Sequence, residues 1–261
     1  MTILPWRPFP IMTLTIRQFL VGRAVRIVAA LAAVPLLFAL VYRINSEWST
    51  VYAFLVDRVF LDVFSPTLLP IMVLILATGA LGNEVEDRTL LYLTLKPRTR
   101  LRIVLEKFGG ILLVAVPTIL AGLALAFALA STAPGPRRLI DRGLDQPDLM
   151  PVFVAAMVAA FFGIVAFAAI FLAVSLFVPR ALLVGIVYAF AWESLLGRFI
   201  GGIRLISIRH YVQSIFVSML DDPDWTIANA FTARAAMVTI LVAVVLSIAL
   251  ATWRLGRMQL D

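Results

Sequence analysis

Cysteine is absent from the sequence, histidine occurs once, as His210, and lysine twice, as Lys96 and Lys107. Without cysteine there can be no disulfide, thiolate nucleophile or thiolate-bound metal. A single histidine rules out an HExxH motif or a His-based metal cluster. Neither lysine follows a glycine, so the chain has no P-loop with which to hydrolyse ATP. Charge is scarce too: 14% of residues are charged, against about a quarter in soluble domains. In its place stands apolar surface, 62% of the 261 residues at a mean hydropathy of +1.03. These values describe an integral membrane protein. Apolar runs near the ~20 residues that cross a bilayer recur along the whole chain and favour helical spans over a barrel. The expectation is an all-α integral membrane protein, one transmembrane domain over 1–261 with no separate soluble domain. No short apolar core is followed by a small-residue cleavage site near the start, so the first span is expected to persist. No period of 20 to 50 residues marks a repeat.

Six spans can be drawn, at 24–42, 66–82, 108–131, 150–178, 181–199 and 232–252. An even number places both termini on one side. With that side cytoplasmic, the inner segments hold 13 Lys and Arg against 9 outside, while the outer ones hold 10 of the 15 acids. The sign follows the positive-inside rule, helped by Arg7, Arg17, Arg23 and Arg26 around the first span. The net charge of +7 is therefore read as topological, and no nucleic-acid partner is expected, since no basic patch is interleaved with aromatics.

Ahead of the first span, Phe9, Met12, Ile16, Phe19 and Leu20 recur at three- and four-residue intervals, while Thr13, Arg17 and Gln18 fall elsewhere on the wheel. This spacing predicts an N-terminal interfacial helix. Residues 132–149, rich in Pro, Gly and charge, read as an exposed loop. Between the fifth and sixth spans, residues 197–225 are too polar to span and too apolar for a free loop. A short re-entrant or surface-lying outer helix fits them, with His210 in a surface or interface role. Glu193, in the fifth span, falls about 18 Å from its inner end. An acid at that depth is either a functional group or one facing water near Gly197, with Arg198 or Arg204 as partner; the three form a candidate intramembrane or outer-gate polar site. Gly79, Gly82, Gly109, Gly110, Gly197 and Gly201 permit close helix approach, and Pro117 is expected to kink the third span. Met72, Met157, Phe161, Phe162, Phe167 and Phe171 read as packing or lipid contacts.

The most organised polar stretch is LGNEVEDRTLLYLTLKPRTRLRIVLEKFGG, where 25 positions from Asn83 to Lys107 carry 10 of the chain's 37 Asp, Glu, Lys and Arg residues. Asn83 and Glu86 have capping-box spacing, so a helix is expected to start there. Glu84, Glu86 and Asp87 then occupy its first turn, where the helix dipole favours acids. Pro97 ends it by barring helical geometry at Lys96. Thr99 can cap a second helix that continues through Glu106 and Lys107 into the third span. An acidic helix, a proline elbow and a basic helix have more order than a solvated inner loop requires.

The string Glu84, Glu86, Thr89, Leu90, Leu93, Pro97, Arg100 and Lys107 resembles the motif after the second span of type-2 ABC transporter permeases, the membrane subunits of ATP-binding-cassette exporters. YAFAWESLLG at 188–197, GIRLISIRHY at 202–211 and the tail ATWRLGRMQLD are similar to further segments of bacterial members; Arg88 stands where many members place glycine. The resemblance implies that 83–107 contains a coupling helix that docks on a separate ATPase subunit. Glu84 and Glu86 would contact or orient that ATPase, and Arg100 and Lys107 would brace the helical hairpin, with Leu91 and Leu95 as apolar anchors. It implies a dimer with a second permease copy or paralogue in a bacterial inner membrane, exporting an amphiphilic or apolar substrate. Such a chain is not itself an enzyme and holds no cofactor; ATP and magnesium belong to the partner ATPase. The alternative class, an ion- or proton-coupled secondary transporter, requires buried ionisable pairs near the midplane, for which Glu193 is the one clear candidate. A membrane-embedded enzyme would need convergent catalytic groups, which the sequence does not offer.

Overall fold

A computed structural model describes residues 9–44, 50–82, 99–133, 148–178, 181–187 and 207–257, and among them every regular element is a helix. In chain order these are α1 (Pro10–Val21), α2 (Arg23–Ala32), α3 (Val34–Ile44), α4 (Val51–Ala80), α5 (Arg100–Ser131), α6 (Met150–Phe177), α7 (Ala181–Val187), α8 (Ile208–Leu220) and α9 (Ala233–Arg257). Five stretches are long and apolar enough to cross a bilayer: α2 with α3, α4, α5, α6 and α9. Of the expected fifth span at 181–199, only Ala181–Val187 lies within the described residues.

Local chemistry sets the breaks. Gly22 separates α1 from α2 in an extended conformation, and a Cβ there would come within 2.7 Å of the Gln18 carbonyl oxygen. Pro35 has no amide for the Leu31 carbonyl, and the path from α2 into α3 passes through a turn at Ala33. Pro151 sits in the first turn of α6, where a missing amide costs nothing. The Asp148 carboxylate accepts the Met150 amide at 3.0 Å just ahead of it.

The second span differs most from its expected limits. Residues 51–65 were expected to lie outside the 66–82 span, yet they continue it as one helix. Phe54–Leu68 and Thr78–Gly82 are π-helical, with α-helix between them at Leu69–Ala77. Buried side chains recur here every five residues, at Phe54, Val59, Phe64 and Leu69 and again at Leu55, Phe60 and Ser65. Steps of four run beside them, at Val56, Phe60, Phe64 and Leu68, so the buried face mixes both spacings. Asp57, Arg58 and Asp62 pair with one another on the exposed side.

α4 and α6 form the centre of the bundle, and α2, α3 and α9 leave most of their apolar length exposed. Leu37 and Val41 on α3, with Val245 and Leu246 on α9, face outward. Lipid is as apolar as they are, so their exposure carries no penalty in a bilayer. α6 buries a ridge of Ala155, Ala156, Ala159, Ala160, Ala166 and Ala169, small enough for close packing by its neighbours. Gly122 of α5 and Gly185 of α7 abut Ala32 and Leu74 so closely that neither has room for a Cβ. Met72, Phe167 and Phe171 are core residues, whereas Phe161 is largely exposed.

α5 is the longest helix among the described residues. Its Arg100 end carries α1, while at its far end Arg43 of α3 donates to the Thr132 hydroxyl. α8 packs beside the Val51 half of α4: Asp222 beyond its C-terminus meets Tyr52, Phe216 stacks on Phe60 and Gln213 meets Leu61. Of the segment 197–225, the described residues thus include a helix, Ile208–Leu220, with most of its residues buried.

Candidate functional site

The foot of α5 gathers the charged residues of the described core. Glu106 and Lys107 are adjacent, about 100° apart around the helix, so they reach different neighbours. Glu106 faces α1, and Lys107 faces the end of α4.

α1 begins with little to satisfy its own free amides. Phe9 occupies the N-cap position without a side-chain acceptor, and Pro10 has no amide to offer. The following two amides are bound from another helix: Glu106 Oε2 accepts Ile11 N at 2.9 Å and Met12 N at 3.4 Å. Its other oxygen accepts Arg102 Nε at 2.9 Å, one helical turn back. The carboxylate is only 3% exposed. It is stabilised by the positive end of the α1 dipole and by one half-exposed guanidinium. One turn further, Gly110 lets α1 approach so closely that a Cβ would stand 3.1 Å from the Thr15 side chain; Gly109 and Gly79 face Met12 and Phe19. The buried Thr15 hydroxyl donates to the Ile11 carbonyl.

The face of α1 turned to the protein is Ile11, Thr15 and Phe19, while Phe9 and Leu20 of the expected apolar stripe are exposed. The spacing located the helix, but packing against Gly110 chose a small polar residue over a larger apolar one. A shallow groove of about 270 Å³ remains beside Glu106, lined by Phe9, Met12, Leu101, Arg102 and Leu105.

Lys107 is completely buried, and its Nζ donates to the Ala80 carbonyl at 2.9 Å, inside the second π stretch of α4. An ammonium removed from water would cost several kcal/mol without such acceptors. Lys107 therefore ties α5 to α4 while its neighbour ties α5 to α1. Arg100, at the first position of α5, is half-buried. Thr99 does occupy the N-cap, yet its hydroxyl makes no cap bond; its carbonyl takes the Arg102 and Ile103 amides instead. Glu84, Glu86, Thr89, Leu90, Leu93 and Pro97 lie outside the described residues, as do Glu193, Arg198 and Arg204.

A second polar cluster joins α8 to its surroundings. Tyr52 OH donates to Asp222 Oδ2 at 2.7 Å. His210, expected at a surface or interface, is 4% exposed; its Nε2 lies 3.0 Å from the Asn229 carbonyl and its ring packs edge-on against Phe231. A carbonyl only accepts, so the Nε2 bears the proton. Gln213 completes the set with bonds to the Leu61 carbonyl and the Ser65 hydroxyl. Near the Ser131 end, α5 and α6 flank an open apolar groove of about 560 Å³ between Leu125, Phe127, Leu149 and Phe153. Among the described residues no three His, Asp or Glu side chains converge as metal ligands.

Glu106 is the residue that sequence reasoning passed over. Two signals for it exist, an acid paired four residues after Arg102 and a proline-initiated helix without a capping side chain upstream.

Among the described residues, five apolar helices of membrane length, with the alanine-rich α6 near their centre, mark a multi-pass helical membrane protein. No protein-family model matches the chain, and no curated protein matches it in sequence.

Proposed function

We propose that the chain is the membrane-spanning permease subunit of a type-2 ABC exporter, moving an amphiphilic or apolar substrate with energy from a separate ATPase. The observation that carries this reading is the motif from Glu84 to Lys107 in the sequence, which follows one membrane-length helix and ends in the first turns of the next. The foot of α5 is compatible with force transfer through that string. Lys107 and Glu106 link α5 to α4 and α1 by charged hydrogen bonds, each worth about 1.5–3 kcal/mol, so displacement of one helix loads the other two. In this reading the protein has six spans, with α7 opening the fifth and both termini in the cytoplasm. α1 lies in the membrane interface, α8 is a re-entrant outer helix, and two permeases pair in a bacterial inner membrane. Glu193, Arg198 and Arg204 would then stand near the outer gate.

Co-expression with a candidate ABC ATPase subunit tests the assignment. Reversing both Glu84 and Glu86 to Lys is expected to abolish co-purification of the ATPase and ATP-driven transport, while the permease still reaches the membrane. Unchanged assembly and transport in that variant would sink the coupling assignment.

A further inference from the structure

Pro66 lies inside the π-helical stretch Phe54–Leu68. In π bonding each carbonyl accepts the amide five residues on; at the end of the stretch the Leu69 amide indeed bonds Phe64 O. The partner of the Leu61 carbonyl would be residue 66, which as proline has no N–H. That carbonyl receives a replacement from another helix: Gln213 Nε2 donates to Leu61 O at 3.0 Å and to Ser65 Oγ at 2.9 Å. Gln213 is 8% exposed and Ser65 fully buried, so little water reaches the place. Both amide hydrogens of Gln213 are used, and the obligate acceptor at Leu61 fixes which way its amide is turned.

The same chain segment has a second register available. With α bonding, Leu61 O would accept the Ser65 amide four residues on, and Gln213 would no longer be needed there. Pro66 would then orphan the Asp62 carbonyl instead. Asp62 lies on the exposed side, beside Arg58 and away from Gln213. The two registers therefore differ in which carbonyl the proline leaves open, and Gln213 touches only the one that is open in the π form.

From this geometry we infer that Phe54–Leu68 is a register switch, latched in the π form by Gln213 of α8. While α8 is docked the π register holds. When α8 withdraws, the Leu61 carbonyl loses its donor, which favours the α register and turns the side chains of residues 54–65 relative to the rest of α4. The device depends on Pro66, Leu61 and Gln213 alone and stands apart from the assignment of the chain as a permease.

The full chain in lipid nanodiscs serves for the test. Gln213→Met keeps side-chain length and removes both donors; Pro66→Ala restores a backbone amide that can satisfy Leu61 or Asp62. Hydrogen exchange of the peptide spanning 54–68 is expected to quicken about tenfold or more in Gln213→Met, the scale of one buried unsatisfied carbonyl. In the Pro66→Ala background the same Gln213→Met change is expected to have little effect. Because the chain has no cysteine, spin labels at Arg58→Cys and Ser131→Cys can report the register directly, with a second distance population expected in Gln213→Met. Should Gln213→Met alone fail to accumulate, recovery of the folded protein in the double variant supports the latch. Equal damage in both backgrounds, or an unchanged single distance, overturns it.

Discussion

The Glu106 carboxylate closes the N-terminus of α1, accepting at 2.9 Å the amide of Ile11, 95 residues earlier in the chain. A helix that starts with Phe9 and Pro10 lacks its own cap, and the acid on α5 supplies one. The consequence is that α1 is fastened at one end to α5 and continues at the other through Gly22 into the first span.

Glu106→Ala is expected to lower stability by about 2–3 kcal/mol, the scale of a cap together with a charged hydrogen bond. Glu106→Gln should lose less, since one amide oxygen can still accept from Ile11. Detergent-solubilised protein followed by thermal unfolding gives the comparison. A spin label at exposed Leu20 should become more mobile in the alanine variant if α1 is released.

At Lys107 the sign of the charge matters more than its presence. Lys107→Met keeps the packed stem and leaves the Ala80 carbonyl without this donor, a loss of about 1–3 kcal/mol. Lys107→Glu would set a second carboxylate beside Glu106 and against a carbonyl, and the protein is expected not to accumulate. Membrane yield and size-exclusion profile separate the two outcomes.

Glycine positions make a graded series. Gly122→Ala should cost more than the ~1–3 kcal/mol of ordinary overpacking, because the added carbon meets the backbone of Ala32 and the α2–α5 pair must part. Gly163→Ala meets the movable side chains of Leu69 and Val212 and should cost less. Gly256→Ala meets nothing and is expected to be neutral or to gain up to about 1 kcal/mol from helix propensity. Thermal midpoints in one detergent would rank the three.

Tyr52 and Asp222 are 170 residues apart and share a hydrogen bond of 2.7 Å. Tyr52→Phe and Asp222→Asn should each loosen the C-terminal end of α8. A double-mutant cycle is expected to show a coupling of about 0.5–3 kcal/mol. Additive effects would mean that the bond contributes nothing to holding α8.

Much of the architecture was legible because it is written in long stretches. The apolar runs located the five membrane-length helices, and the start of α5 after Thr99 followed from the residues beyond Pro97. The N-terminal helix was located by spacing, although its buried face was not, since Thr15 is chosen by the room that Gly110 leaves. Residues 51–65 fall outside the expected span, where Asp57, Arg58 and Asp62 interrupt the apolar run; in the fold these three pair on one side and the apolar residues pack inward. His210 looked like an interface residue among arginines, and only the fold of 221–232 back along α8 provides the Asn229 carbonyl that buries it.

By itself the sequence determined the solvent this protein folds in, because apolar length against bilayer thickness is a property of the chain alone. It also determined the break at Gly22, where the glycine acts locally, although Pro66 and Pro117 lie inside continuous helices. Which charges are buried, and with what partner, was decided only by tertiary structure. The Glu106 carboxylate satisfies the amides of an uncapped helix start and the Gln213 amide a carbonyl left open by a proline, each far away in sequence, and such a need has no local signature until the helices meet.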